Sequence, residues 1–469
     1  PSDDPDGDGD DNLTEFTNGT HPTVDEAVSP LGDSYTAYTA TQLAGGGTDL
    51  NQGTATAIDW QPAANQDPLI SLHADGLIKV QRAGDYFISL TLPMSSGVQR
   101  SAIRAEAYVN GSPVPGLLGE SSYIRNQSGH SESSSHFAGM LSGLNTGDQI
   151  EVRVLGTAKD GTVTMSTARL FLERVQPVRT VFAAQSDGTS SGNLNPASPE
   201  PLLWSAAPRE DVGFTHTAGN SGITFDAAGT YFVTLNVPLN STVQRAAPRA
   251  ELLLDGVRVP GGTATQGYIR SDDGHEGASL QWSGLVQATA GAALTVNLVE
   301  EGSSGTVQLP TGEKASLFVE ALNVSSGSYF GTATALDIGD DWNVTGNVSF
   351  SSDLVLDAGL YSKPTAHQVQ VAADGDYLLV YNDALTSALQ RANPKMIVQV
   401  NGVAVPGAET KSHYIRSNSG HNASSGSLVT LLSLAAGDTV SVAVEAEAAA
   451  GTVDDDAAAL FALIRRSAI

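Results

Sequence analysis

Along most of this chain apolar residues fall on every second position, in short runs. Tyr86, Ile88 and Leu90 point one way while Phe87, Ser89 and Thr91 point the other; Tyr231, Val233 and Leu235, then Tyr377, Leu379 and Tyr381, repeat the pattern. Period two marks a strand, because successive side chains leave opposite faces of the pleat. A second set, Ala105/Ala107/Val109, Ala250/Leu252/Leu254 and Met396/Val398/Val400, ends each time in Asn110-Gly111, Asp255-Gly256 or Asn401-Gly402. Those pairs accept the positive φ of a two-residue turn, so a hairpin is expected at each. Later runs carry Ile150/Val152/Val154, Leu294/Val296/Leu298 and Val440/Val442/Val444, and a closing strand is expected around Leu170-Phe171, Leu317-Phe318 and Leu460-Phe461. Helical spacing is nearly absent. Many short strands with regular turns predict an all-β chain of sandwiches.

The runs recur because the chain is a tandem triplication. VQRSAIRAEAYVNGSPVPG begins at Val98, VQRAAPRAELLLDGVRVPG at Val243 and LQRANPKMIVQVNGVAVPG at Leu389, spacings of 145 and 146 residues. Gly84, Gly229 and Gly375 recur at the same offsets, as do Tyr123-Ile124-Arg125, Tyr268-Ile269-Arg270 and Tyr414-Ile415-Arg416, each followed by Gly-His ending in His130, His275 or His421. Gly-Thr-Val follows at Gly161, Gly305 and Gly451, its offset shifting by one residue at the second copy and staying so in the third. The reading divides the chain into an acidic tail over 1–34 and repeats over 35–176, 177–325 and 326–469. Linkers of about four residues argue against beads on a flexible string. Two arrangements remain: an intrachain pseudo-trimer, in which one chain mimics a homotrimer, or a linear rod.

The order Gly-x-Tyr strand, Asn-Gly hairpin, Gly-His-Ser-rich loop, Gly-Asp strand (Gly147-Asp148, Gly437-Asp438), Gly-Thr-Val and terminal Leu-Phe resembles the jelly roll of tumour necrosis factor and the globular heads of complement's collagen-tailed recognition component. The second copy departs from it with Gly291-Ala292. The resemblance implies a ten-stranded jelly-roll sandwich per repeat, packing about a threefold axis, and no catalytic chemistry.

Charge narrows the partners. The 469 residues hold 23 Lys and Arg against 51 Asp and Glu, a net charge of −28, and no cysteine. Nucleic acid needs a basic surface, so it is excluded as a partner, and anionic lipid is disfavoured. Thiol catalysis, thiolate metal sites and disulfides are absent. No apolar stretch is long enough for a membrane span. Nine Asn-x-Ser/Thr sequons, at Asn12, Asn18, Asn110, Asn126, Asn240, Asn323, Asn343, Asn347 and Asn422, fit a secreted protein with an extracellular surface, although chance in a chain rich in Ser, Thr and Asn accounts for them as well.

Two features carry candidate chemistry. The tail segment with Asp4, Asp6, Asp8, Asp10, Asn12 and Glu15 fits the spacing of a calcium loop, with Gly9 at the sharp turn and no flanking helices; an acidic linker without a fixed ion is the alternative. The other feature is the thrice-repeated Tyr-Ile-Arg-x₃-Gly-His. Arg125, Arg270 and Arg416 join Arg100, Arg245, Arg391, Arg104, Arg249 and Lys395 to make nine of the 23 cations at repeated positions. In so acidic a chain such groups are expected to fix contacts within and between copies. A sharper reading has the arginines, with Tyr123, Tyr268, Tyr414 and the histidines, bind a carboxylate or sugar; a three-histidine metal site is the remotest.

Enzyme signatures are weak. Gly188 to Gly192 matches G-x-S-x-G but lies in a polar loop with no strand-to-helix turn, and among 51 acids no carboxylate pair stands out. Two functions are therefore carried forward. One is a non-enzymatic extracellular structural subunit that associates with copies of itself into a filament, sheath or surface layer through the N-terminal segment and the repeat interfaces. The other is a secreted adhesin or lectin-like head that binds a glycan or protein through exposed loops such as Ser131 to His136.

Overall fold

The computed structural model describes residues 35–63, 70–72, 77–121, 123–126, 130–157, 161–177, 179–265, 268–271, 275–322, 327–411, 414–417, 421–446 and 451–468. The tail, and with it Asp4, Asp6, Asp8, Asp10, Asn12 and Glu15, lies outside them. Every regular element among the described residues is a β-strand, and all the pairings are antiparallel. None of these elements is a helix long and apolar enough to cross a membrane.

The first repeat winds as two facing sheets. Gly84–Ser96 lies between Glu132–Leu144 and Ala168–Arg174, with Tyr35–Ala40 next; the second sheet runs Ile78–Val80, Gln149–Gly156, Ile103–Val109, Ser112–Gly119. Apart from hairpins such as Ile103–Val109 with Ser112–Gly119, neighbours in each sheet are distant in sequence, because the chain crosses between sheets as a jelly roll does. The third repeat has the same order, with Ser328–Ala333, Asp454–Ala468, Gly375–Thr386 and Ala423–Leu434 in one sheet. In the second repeat Glu200–Glu210 turns a corner. Its start pairs with Ala293–Val299 and its remainder with Val181–Thr189, which joins the two sheets into one of ten strands. The chain is three tandem jelly-roll sandwiches.

Local chemistry sets the turns. Asn110, Asp255 and Asn401 stand at φ of 50°, 51° and 52°, the left-handed region where Asn and Asp are tolerated. The first set of period-two runs, in Gly84–Ser96, Gly229–Asn240 and Gly375–Thr386, is buried on both faces. Tyr86, Ile88 and Leu90 fill the first repeat's own core, while Phe87 belongs to an apolar cluster that also takes Phe171, Phe232, Phe318, Leu378 and Ala462 from all three repeats.

That shared cluster lies where the repeats meet. Ser112–Gly119 and Glu132–Leu144 of the first pack on Gly229–Asn240 and Ala315–Leu322 of the second; Val257–Ala264 and Gly277–Ala288 of the second pack on Gly375–Thr386 and Asp454–Ala468 of the third. Val403–Thr410 and Ala423–Leu434 of the third pack on Gly84–Ser96 and Ala168–Arg174 of the first, which closes a ring. A linear rod has no contact between its first and third members, so the chain is an intrachain pseudo-trimer.

One expected equivalence fails. Phe171 pairs with Ser89 and Phe318 with Thr234, but Ala462, not Phe461, takes the matching place against Val380. Register shifts between Asn382 and Leu385 displace the third closing strand by one residue, and a one-residue slip turns a side chain to the other face. Phe461 therefore enters the third repeat's own core, 4.8 Å from the Phe350 ring.

Candidate functional site at the pseudo-threefold axis

Alternation along Tyr-Ile-Arg sends three side chains to three places. Ile124, Ile269 and Ile415 are fully buried in sandwich cores, and each forms an isolated bridge, to Ser101, Ala246 and Ala392. The preceding tyrosines turn the other way and meet one another. Ring centroids lie 5.0 Å apart for Tyr123 and Tyr268, 4.8 Å for Tyr123 and Tyr414, and 5.2 Å for Tyr268 and Tyr414, a cluster separate from the sandwich cores. The arginines that follow are half-buried at its rim.

The histidines complete this cap in cyclic order. His275 stands edge-on to Tyr123 at 4.7 Å, His421 to Tyr268 at 4.4 Å and His130 to Tyr414 at 4.6 Å, so each repeat's histidine packs on the preceding repeat's tyrosine. A backbone hydrogen bond ties each histidine: the amides of Asn126, Ser271 and Ser417, all at positive φ, donate to the carbonyls of His130, His275 and His421. His130 Nδ1 also accepts from the Arg125 amide at 3.2 Å. Burial pushes His130 down to about 3 and His421 down to about 4, so both rings are neutral at physiological pH. Burial, with the neighbouring phenol adding to it, pushes Tyr414 up to about 12, against the opposing charges of Arg416, Arg125 and Arg391. Arg100, Arg245 and Arg391 adopt φ of 64°, 65° and 70° in the adjoining loops.

Further along the axis a hydroxyl clamp repeats three times. Ser279 Oγ accepts from the Glu120 amide at 2.9 Å, Ser425 Oγ from the Thr265 amide at 2.8 Å, and Ser134 Oγ from the Lys411 amide at 2.9 Å. Beside each clamp a cation reaches the next repeat: Arg104 pairs with Glu313 at 3.1 Å, Arg249 with Asp456 at 3.3 Å, and Lys395 with Glu132 at 3.6 Å. The structure thus brings Tyr123, Tyr268, Tyr414, His130, His275 and His421 into one cap and sets Arg104, Arg249 and Lys395 at the three seams.

One expectation is corrected, and the remotest reading, a three-histidine metal site, finds no support in the geometry. The histidines converge on tyrosine rings and not on one another, and among the described residues no group of three His, Asp or Glu is placed to hold a metal ion. Ser131 to His136 is not an exposed loop: Ser133, Ser134, Ser135 and His136 are buried in the strand Glu132–Leu144, where they form part of the seam. The G-x-S-x-G match spans the buried end of Val181–Thr189 and the exposed turn after it, with the Ser191 hydroxyl donating to Glu200 at 2.8 Å.

Several seam residues gave no signal in the sequence. Arg169 donates to Thr430 Oγ1 at 2.9 Å, to the Leu431 carbonyl at 2.8 Å and to the Pro406 carbonyl at 3.2 Å, all in the third repeat. Burial lowers its pKa to about 10. Glu173, Arg179, Glu320 and Arg466 form an ionic quartet between repeats, with all but Arg179 buried.

No family model matches the chain, and neither does any curated protein. Solved structures similar to it include murine APRIL at pH 8.0 and pH 8.5, each 14% identical, and at pH 5.0, 13% identical. Each match covers 30% of this chain and 99% of the APRIL chain, with a TM-score of 0.23.

Proposed function

We propose that the chain is a non-enzymatic extracellular structural subunit that assembles into a filament, sheath or surface layer. The observation that carries this reading is the closed ring. The residues repeated in every copy engage other copies within one chain, so the module's association face is satisfied before a second chain arrives. Association between chains then uses other surfaces.

One such surface is an apolar groove of about 240 Å³ between the second and third repeats, lined by Leu254, Val257, Val259, Leu285, Phe330 and Leu354. Val257 is 71% exposed. The groove includes Leu354 of Ser352–Leu356, the edge strand of its sheet. An unpaired edge accepts an added strand, and the N-terminal segment of a neighbouring subunit is the occupant this reading assigns. Subunits of charge −28 repel one another, so divalent calcium held by Asp4, Asp6, Asp8, Asp10, Asn12 and Glu15 would favour contact as well as shape the segment. Electron microscopy with calcium and with a chelator tests this. Filaments that fall apart on chelation are expected; discrete particles in every condition would count against it.

A recognition reading keeps one specific support. Arg125, Arg270 and Arg416 ring the axial tyrosines, and the charges of Arg125, Arg416 and Arg391 act on the Tyr414 phenol. A glycan carboxylate suits such a rim. Discrete particles that bind acidic glycans, and lose them on Arg125→Ala without loss of Tm, would favour it.

A further inference from the structure

The three seams share the hydroxyl clamp but differ in the residues on either side of it. The clamp amides belong to Glu120, Thr265 and Lys411, and two residues before each accepting serine stand Gly277, Ala423 and Glu132. Glu120 therefore meets Gly277, where an added Cβ would lie 2.3 Å from its Oε2. Thr265 occupies the seam with Ala423. Lys411, 1% exposed, donates through Nζ to Glu132, which Lys395 also reaches.

We propose that these six residues are a pairing code that fixes the cyclic order of the repeats and fits the third repeat's face best to a first repeat. Consider the other pairings. A first repeat facing a first repeat would set the buried Glu120 against the half-exposed Glu132, two carboxylates in one site. A third repeat facing a third would bury the Lys411 ammonium beside Ala423, which offers no carboxylate, and facing a second it would lose Glu132 and find only Glu276, the neighbour of Gly277, within electrostatic reach. A first repeat facing a third would press Glu120 on the Ala423 Cβ. Unpaired buried charge and like-charge contact each disfavour a complex strongly, and specificity comes from such penalties against wrong partners. The Thr265 seam is permissive, so discrimination rests on the other two. Tandem duplication first yields three like faces; charge at two seams makes them unlike, and the face that would recruit a third subunit instead recognises the start of its own chain.

The test uses the full chain. Gly277→Glu sets a second carboxylate against Glu120 and is expected to lower Tm by several degrees and to give dimers or a larger hydrodynamic radius in light scattering, as the ring opens. Adding Glu120→Lys carries the Lys–Glu pair to this seam and is expected to restore both readouts. At the closing seam Lys411→Glu is expected to behave like Gly277→Glu, and Lys411→Glu with Glu132→Lys to recover. Lys411→Met, neutral and similar in size, is expected to lower Tm less than Lys411→Glu and to stay monomeric. The proposal is overturned if Gly277→Glu matches the native chain, if neither charge-restored double variant improves on its single, or if Lys411→Met and Lys411→Glu shift Tm equally.

Discussion

Arg466, three residues from the end of the chain, holds Glu320 of the second repeat through two parallel hydrogen bonds of 2.9 Å each, with 4% and 5% of the two side chains exposed. Arg179, between the first and second repeats, joins Glu173 at 2.8 Å and Glu320 at 3.2 Å, so two acids and two bases balance. Burial alone would raise the Glu320 carboxyl, but the charges of Arg466 and Arg179 hold it below the ordinary range. Arg466→Met leaves two buried carboxylates sharing one guanidinium and is expected to cost about 3–5 kcal/mol. Adding Glu320→Leu should recover most of that. Denaturant unfolding measures both, and a loss under about 1 kcal/mol for Arg466→Met would show the quartet to be incidental.

The first seam should titrate. Burial pushes Glu120 up to about 7, with the Arg104 charge and a hydrogen bond from Thr157 pulling back only in part. Burial likewise pushes Glu313 up to about 7, opposed by the Gly116 amide and assisted by Glu106. Unfolded, both titrate near 4.5, so the folded chain binds more protons between 4.5 and 7 and their contribution is lost as pH rises through 7. His130 and His421, lowered to about 3 and about 4 from 6.5, work oppositely, since the unfolded chain binds more protons below 6.5. Single variants separate the two. Relative to native, Glu120→Gln should gain Tm at pH 8 and lose that gain by pH 5, while His421→Gln should gain at pH 5 relative to pH 8. A difference from native that does not change with pH would contradict either assignment.

Gly116, Gly261 and Gly407 end the repeated Val-Pro-Gly at φ of 87°, 60° and 75°, each against the next repeat's closing strand. A Cβ at Gly407 would lie 2.3 Å from the Thr167 carbonyl oxygen, and one at Gly261 2.5 Å from that of Ala458. Gly402, at φ 76°, has nothing within 4 Å. Gly402→Ala should therefore cost about 1 kcal/mol from backbone conformation alone, and Gly261→Ala or Gly407→Ala about 2–4 kcal/mol. Equal losses at Gly402 and Gly407 by denaturant unfolding would show that close approach between repeats adds nothing.

What the sequence disclosed was whatever is local or periodic. Alternation gave the strands, Asn-Gly and Asp-Gly gave the hairpins, and the 145-residue spacing gave the three sandwiches. It also marked Arg104, Arg249 and Lys395, because cations scarce elsewhere recur there. Contacts that span repeats left no such trace. Arg169, Arg466 and Glu320 lie at the same seams, yet nothing local separates them from ordinary charged strand residues. Phe461 sits in the right dipeptide but one register step away, since a bulge is a property of two paired strands. Ser133 to His136 reads as a polar loop because its hydroxyls answer groups in another repeat, as the Ser134 clamp to the Lys411 amide shows.

Small-angle scattering of the monodisperse chain in chelator tests the closed ring most directly. One compact body of this length has a radius of gyration of about 23 Å, and the account predicts a value within a few ångströms of that. Three sandwiches in line would exceed about 30 Å, and such a value would contradict the ring.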